Sequence, residues 1–387
     1  MKLNSFIAAG VLTLGMATLA NAQNRVYITG STAFRPATYD ALASIFDSAP
    51  SIAAYKCSTV GTIDAHTAGQ MEFDGNIGGA RYIIKCAWSG SEAGVVDVAT
   101  SGKTEPFIDD IGVNGVSAIN STATASSLDS HTVDLALADN SQAASKTKSP
   151  SLTGTKVGII PFVWVKNAQT GNPADWLRLT NVTHPQLRVA LSGGSKLALL
   201  TGNPADTKYV YVAGRDNNSG TRVNALADSG YGIKTPVQQI IITGSGSVAS
   251  GIQGNALTTS GQSSGGTLAT TMTFTGTSGL ADPINGGTGW YAIGYLGLFD
   301  ADVALAGGAI QLSVNGVPES PAAIKEGQYS FWGQEWLYQN PVLFSPAITV
   351  YNALLTAIPA HVDGDHQIAL SAMHATKNTD LADPTHN

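Results

Sequence analysis

Apolar residues along this chain recur in short runs that switch between strand and helix periods. RVYITG (25–30) reads as a strand, and in the following STAFRPATYDALASIFDSAP the residues Phe34, Leu42, Ile45 and Phe46 fall at helical spacing. Ser31 and Thr32 are suitable caps for that helix, and Pro36 holds its start nearby. AAYKCSTV and RYIIKCAW flank FDGN (73–76), whose Asp-Gly pair predicts the turn of a long hairpin. Residues 101–130, rich in Ser, Thr, Asn and Gly, read as an irregular insertion. TVDLALADNSQ (132–142) is an apolar strand ending in Asp139, KVGIIPFVWVKN (156–167) a buried strand, and THPQLRVALSGG a short helix stopped by glycines. KYVYVAGRDNNSGTRVNALADSG then repeats the opening layout of strand, polar Gly loop and helix. The Gly/Ser/Thr-rich stretch 243–280 reads as loop or edge-strand hairpin. GWYAIGYLGLFDA (289–301) is a strand-turn-helix signal, and SPAITVYNALLTAI adds one more helix after Trp336. Strands alternating with helices predict an α/β protein with parallel or mixed sheets.

The first 22 residues depart from this pattern. One Lys, a short apolar core and the Ala20-Asn21-Ala22 ending read as a secretory signal peptide cleaved before Gln23. No later stretch reaches the roughly 18 apolar residues of a membrane span, so the exported chain is expected to be periplasmic or extracellular and not membrane-embedded. Its 387 residues suffice for two domains. Charged residues make up only 12%, while glycine reaches 43, which implies a surface of Ser, Thr, Asn and Ala. A net charge of −7 argues against nucleic acid as a partner. In an oxidising compartment, Cys57 and Cys86 predict a disulfide at the base of the hairpin, with two buried thiols as the alternative.

Against this low charge, AGRDNNSGTR (213–222) is crowded with polar groups. A strand ends, a loop turns and Ser219-Gly220-Thr221 opens a helix, so unsatisfied N–H groups and the positive end of the helix dipole face the loop. Such a site suits an anion, with Arg215 as a planar fork of donors, hydroxyls from Ser219 and Thr221, and close backbone approach at Gly220. The competing reading has Ser or Asn merely capping the helix while Arg215 pairs with Asp216 on the surface. Four other motifs read as structural. GQSSG (261–265) resembles a hydrolase elbow around Ser263, but no buried strand precedes it. TSGKT (100–104) has Asp97 where a phosphate loop needs its first glycine. HVDGDH (361–366) reads as a solvated loop in preference to a metal site, so no metal and no cofactor is expected. Tyr329, Trp332, Trp336 and Tyr338 read as packing or hinge cover.

Taken in order, several of these segments resemble the periplasmic phosphate-binding proteins of phosphate ABC transporters, in the type 2 periplasmic binding protein superfamily. YITGSTAFRPATYDAL is similar to the family's N-terminal loop and helix, GSEAGV (90–95) to its Gly-Ser-Ser-Gly-Gly-Val loop, and VDLALAD to its Val-Asp-Phe-Gly-x-Ser-Asp strand. LTNVTHPQLRVALSGG resembles its leucine helix, RDNNSGTR its Arg-x-Asp-x-Ser-Gly-Thr loop, and YAIGYLGL its Ala-Ile-Gly-Tyr-Val turn. The resemblance implies a two-lobed α/β fold with mixed sheets, two hinge crossovers and β-rich insertions. Lobe 1 would comprise 23–157 plus 330–387 and lobe 2 158–329, shutting on a ligand between them. It implies contacts from Ser31, Thr32, Ala33, Phe34, Ser91, Asp139, Arg215, Asn217, Ser219, Gly220 and Thr221. Asn217 stands where the family has an Asp that pairs with the Arg, and Ala33 replaces a common hydroxyl residue. The implied ligand is inorganic phosphate and the implied partner an ABC transporter permease, for a monomeric, non-catalytic protein. Asp139 would then select a protonated oxyanion, because sulfate has no proton to donate to a carboxylate in a dry site. A surface or structural protein on the same fold is the alternative, and an exported phosphoesterase a third reading that lacks a nucleophile and base.

Overall fold

The computed structural model describes residues 23–55, 68–117, 128–380 and 382–386. The expected signal peptide therefore lies outside the described residues, as does Cys57. Strand β1 (Asn24–Gly30) leads to helix α1 (Arg35–Ser44), and β2 (Ser51–Tyr55), β3 (Gln70–Ile77) and β4 (Ala80–Ala87) form an antiparallel meander. Helix α2 (Ser91–Ala99), the pair β5 (Thr104–Ile108) and β6 (Leu128–Thr132), and β7 (Leu135–Ala138) follow. β1 runs parallel to β4 on one side and to β7 on the other, with α2 packed against β7 and β1.

The chain leaves this lobe on β8 (Gly154–Lys166), a 13-residue strand that belongs to both halves of the molecule. In the second half come α3 (Ala174–Leu177), β9 (Asn181–Val182), α4 (His184–Leu191), β10 (Ser195–Lys196), α5 (Leu197–Thr201), β11 (Tyr209–Ala213) and α6 (Gly220–Asp228). The hairpin β12 (Ile242–Ser245) and β13 (Val248–Ile252), then α7 (Gly265–Met272), β14 (Trp290–Gly297), α8 (Leu298–Ala306), β15 (Ile310–Val314) and α9 (Pro321–Lys325) complete it. The chain returns on β16 (Trp332–Gln339) and ends with α10 (Ser345–Ala357), β17 (Ala375–Thr376) and β18 (Thr385–His386). The first part of β8 pairs with β16, Ile159 opposite Gln334, and its last part with β14, Trp164 opposite Tyr295. One continuous sheet results, ordered β10-β11-β14-β8-β16-β7-β1-β4-β3-β2. This is the mixed α/β, two-lobed architecture with two crossover strands that the resemblance implied. Among the described residues no helix is long and apolar enough to cross a membrane.

Four local expectations are corrected. The hairpin turn lies at Gly78-Gly79, not at FDGN: both glycines have positive φ (60° and 78°), as a two-residue turn of this hand requires. Gly75 instead lies inside β3, where a methyl group would fall 2.8 Å from the Phe46 ring. Helix α1 starts at Arg35 behind Phe34 and ends at Ser44, so Ser31 and Thr32 do not cap it and Ile45 and Phe46 lie beyond its end. Residues 101–130 contain the antiparallel pair β5 and β6, anchored by the buried Phe107 against Tyr27 at 5.0 Å between ring centroids. The stretch 243–280 contains a helix as well as a hairpin: Ser264 caps α7, and Leu268, Ala269 and Met272 bury its inner face. Cys86 is a buried free thiol on β4, and no disulfide joins described residues.

Candidate oxyanion site

Each lobe sends the start of a helix toward the other. β1 ends at Gly30, where φ is 118° and a methyl group would fall 1.9 Å from the Leu137 carbonyl oxygen, so only glycine lets β1 and β7 close up here. The next residue, Ser31, donates its N–H to Leu137 O (2.8 Å) and accepts the Phe34 N–H on its hydroxyl (3.2 Å). β4 leads through Gly90, at φ 98°, into α2, which begins at Ser91. In the second lobe β11 leads through the loop 214–219 into α6, and the Ser219 hydroxyl accepts the Arg222 N–H (3.2 Å) as its cap.

These starts meet. A methyl group on Gly220 would fall 1.5 Å from Asp139 Oδ1 and 2.6 Å from Ser91 Cβ, so the first turn of α6 rests on the Asp139 carboxyl group and the first residue of α2. The Glu92 N–H donates across the lobes to the Asn218 carbonyl (3.0 Å), and Asn224 Nδ2 donates to the Asp139 carbonyl (2.7 Å). Ser91 Oγ accepts the Asp139 N–H at 3.3 Å. Among the described residues no protein acceptor stands on the N–H groups of Ser91, Gly220 or Thr221. Two helix starts with open donors thus converge, an arrangement that favours negative charge.

Arg215 is 2% exposed. Its Nε donates to the Gln262 carbonyl and its Nη2 to the Ser263 carbonyl, both at 3.2 Å, while its own carbonyl accepts from Arg222 Nη1 (2.9 Å) and Gln239 Nε2 (3.0 Å). Among the described residues no carboxylate lies within ion-pair distance of its guanidinium. Asp216 is not its counter-ion: Asp216 Oδ1 accepts the Asn218 N–H (2.9 Å) and shapes the loop. The insertion 243–280 therefore reaches the site, since Gln262 and Ser263 belong to it.

Burial pushes the Asp139 carboxyl up to about 6, against the opposing pull of the Ser91 hydrogen bond and the Arg215 charge. The side chain is 1% exposed, and its Oδ1 has no partner in the protein. On β16, Trp336 faces Ala138 of β7, and the neighbouring Glu335 carboxyl group feels the charge of Asp139 just past the end of β7. Glu335 is 0% exposed and both of its carboxyl oxygens lack a hydrogen-bond partner. Burial first, and then the neighbouring Asp139 charge, raise it well above the usual carboxylate range, which favours its neutral form. The sequence reading passed over Glu335. Its one signal is an acid set inside the aromatic run WGQEWLY.

Of the residues implied by the resemblance, Ser31, Ser91, Asp139, Arg215, Ser219, Gly220 and Thr221 are buried around this cluster. The Ala33 methyl lies 3.3 Å from where a methyl on Gly297 of the second lobe would stand. Phe34 is core, packed over Gly158, and Thr32 faces a neighbouring cavity. Asn217 is not brought in: it is exposed, and its carbonyl accepts from Lys146 Nζ. His366 bonds Asp363 and Asp302, and among the described residues no three His, Cys, Asp or Glu side chains are grouped to hold a metal. Tyr329 donates its hydroxyl to the Phe162 carbonyl (2.9 Å), Trp332 lies 4.6 Å from Lys377 Nζ, and Trp336 stacks on Tyr338, so this aromatic group is internal packing.

No protein-family model matches the sequence, and no curated protein matches it. Among solved structures the chain is similar to a candidate phosphate ABC transporter substrate-binding protein with bound phosphate from Clostridium perfringens, at 14% identity and a TM-score of 0.49, over 89% of this chain and 99% of that one. PstS from Borrelia burgdorferi follows at 14% identity and 0.38, over 86% and 92%. An ABC-type phosphate transport receptor from Vibrio cholerae is similar at 13% identity and 0.41, over 86% and 93%.

Proposed function

We propose that this chain is an exported, non-catalytic solute-binding protein that captures inorganic phosphate between its lobes for uptake by an ABC-type permease. The observation that carries the reading is the seating of the α6 start on Asp139 and Ser91, beside a buried Arg215 that has no carboxylate partner. An oxyanion supplies the missing negative charge and accepts from the open N–H groups of Ser91, Gly220 and Thr221 and from the guanidinium. An ionised Asp139 adds selectivity, because hydrogen phosphate can donate a proton to it and sulfate cannot. The upward shift of Glu335 favours its neutral form, which lessens repulsion with an ionised Asp139. The lobes, 23–157 with 330–387 and 158–329, open and shut about β8 and β16, so that the ligand bridges them.

Titration calorimetry tests this. Phosphate is expected to bind with at least micromolar affinity, Arg215→Ala to lose the binding, and Asp139→Asn to admit sulfate, a discrimination that sites of this kind hold at on the order of 10⁴. No heat from phosphate, sulfate or any other tetrahedral oxyanion would sink the reading.

A further inference from the structure

Beside the Asp139–Arg215 cluster lies a second feature that a five-atom anion does not use. A cavity of about 650 Å³ opens between Thr32, Arg35 and Trp88 of the first lobe and α7 with Asp300 of the second. That volume is within the roughly 300–1,000 Å³ of clefts that hold a whole organic molecule. Arg215 stands at the junction. It donates to the carbonyls of Gln262 and Ser263, on the segment that lines the cavity, and its charge reaches Asp300 inside it.

The walls define what the cavity can hold. Their charged side chains are Arg35 and Asp300, of opposite sign, so a second anionic group finds no net positive charge there. The Asp300 carboxyl group already occupies the start of α7, since a methyl on Gly265 would fall 1.7 Å from its Oδ2. Hydroxyls line the wall at Thr32, Ser264 and Thr267. Trp88 is 8% exposed, and its indole Nε1 donor has no partner in the protein. An indole with an unpartnered N–H, hydroxyls and one carboxyl group along the wall match the mixed C–H and O–H surface of a sugar or polyol.

We infer that the cavity receives the uncharged, hydroxyl-bearing body of a phosphate monoester whose phosphoryl group occupies the Asp139–Arg215 site, so that sugar or polyol phosphates are ligands besides free phosphate. The inference rests on the oxyanion reading above. A monoester has its second ionisation near 6, so its monoanion still offers Asp139 a proton.

Calorimetry with inorganic phosphate, glycerol 3-phosphate, glucose 6-phosphate and free glucose, on the whole exported chain, decides it. At least one monoester is expected to bind tenfold or more tighter than inorganic phosphate. Trp88→Phe, which leaves a smaller aromatic ring and removes the N–H, and Thr267→Val should each erase part of that gain while leaving inorganic phosphate within about twofold. If inorganic phosphate binds and neither monoester gains, or if the gain survives both substitutions, the inference falls and the oxyanion reading stands. If none of the phosphates binds, both fall together.

Discussion

The Asp139 carboxyl is held above its ordinary value by burial, and this fixes the direction of a pH effect. Its folded value is about 6 against 3.8 for the exposed group, so between those values the folded chain keeps a proton that the unfolded chain releases. The stability from this group is therefore fullest below about pH 4 and is lost as pH climbs to 6, a loss of up to about 3 kcal/mol. Without ligand, Asp139→Asn should melt a few degrees above the wild type at pH 8, and the gap should close at pH 4. A constant gap across that range would show that ionisation of Asp139 does not govern it. Residue chemistry was legible where a motif surrounded it: Arg215, Ser219 and Gly220 stood out in a chain with only 12% charged residues. Glu335 did not, because what makes it unusual is its burial beside Asp139, a residue nearly 200 positions away just past the end of β7.

At the scale of elements, Gly220 separates folding from closure. It begins α6 and its φ is not positive, so alanine suits the helix there by up to about 1 kcal/mol. Yet that methyl group would collide with Asp139 Oδ1 and Ser91 Cβ across the lobes. Gly220→Ala is expected to leave the melting temperature unchanged or slightly higher while phosphate affinity falls at least tenfold, read by a thermal melt beside a calorimetric titration. Equal affinity would mean that the two helix starts need not touch. The strand-loop-helix units around 25–44 and 208–228 were readable because apolar strands, Gly loops and helical spacing agree there. Helix α7 was hidden by its own composition, GGTLATTM, poor in helix formers and stabilised instead by Leu268, Ala269 and Met272 against β14 and α8. FDGN misled in the opposite way. It has turn chemistry, but the pair Gly78-Gly79 two residues further on accepts positive φ at both positions, and Gly75 is needed flat under Phe46.

Across the whole molecule, the run KVGIIPFVWVKN announced a buried strand and the resemblance set a crossover there, but the run itself does not show one strand pairing in both lobes. That dual membership needs pairing information: β16 beside the first part of β8, and β14 and β15 beside its last. Because β8 and β16 lie side by side as the route between lobes, the ladder runs without a break from β10 to β2. Neither half can lose its sheet without stripping a strand from the other. Scanning calorimetry should accordingly record one heat-absorption peak, with calorimetric and van't Hoff enthalpies in agreement, in place of the two peaks that separately melting units produce. A cell would then meet this chain as either intact or wholly unravelled, so proteases would seldom encounter a half-open species to trim.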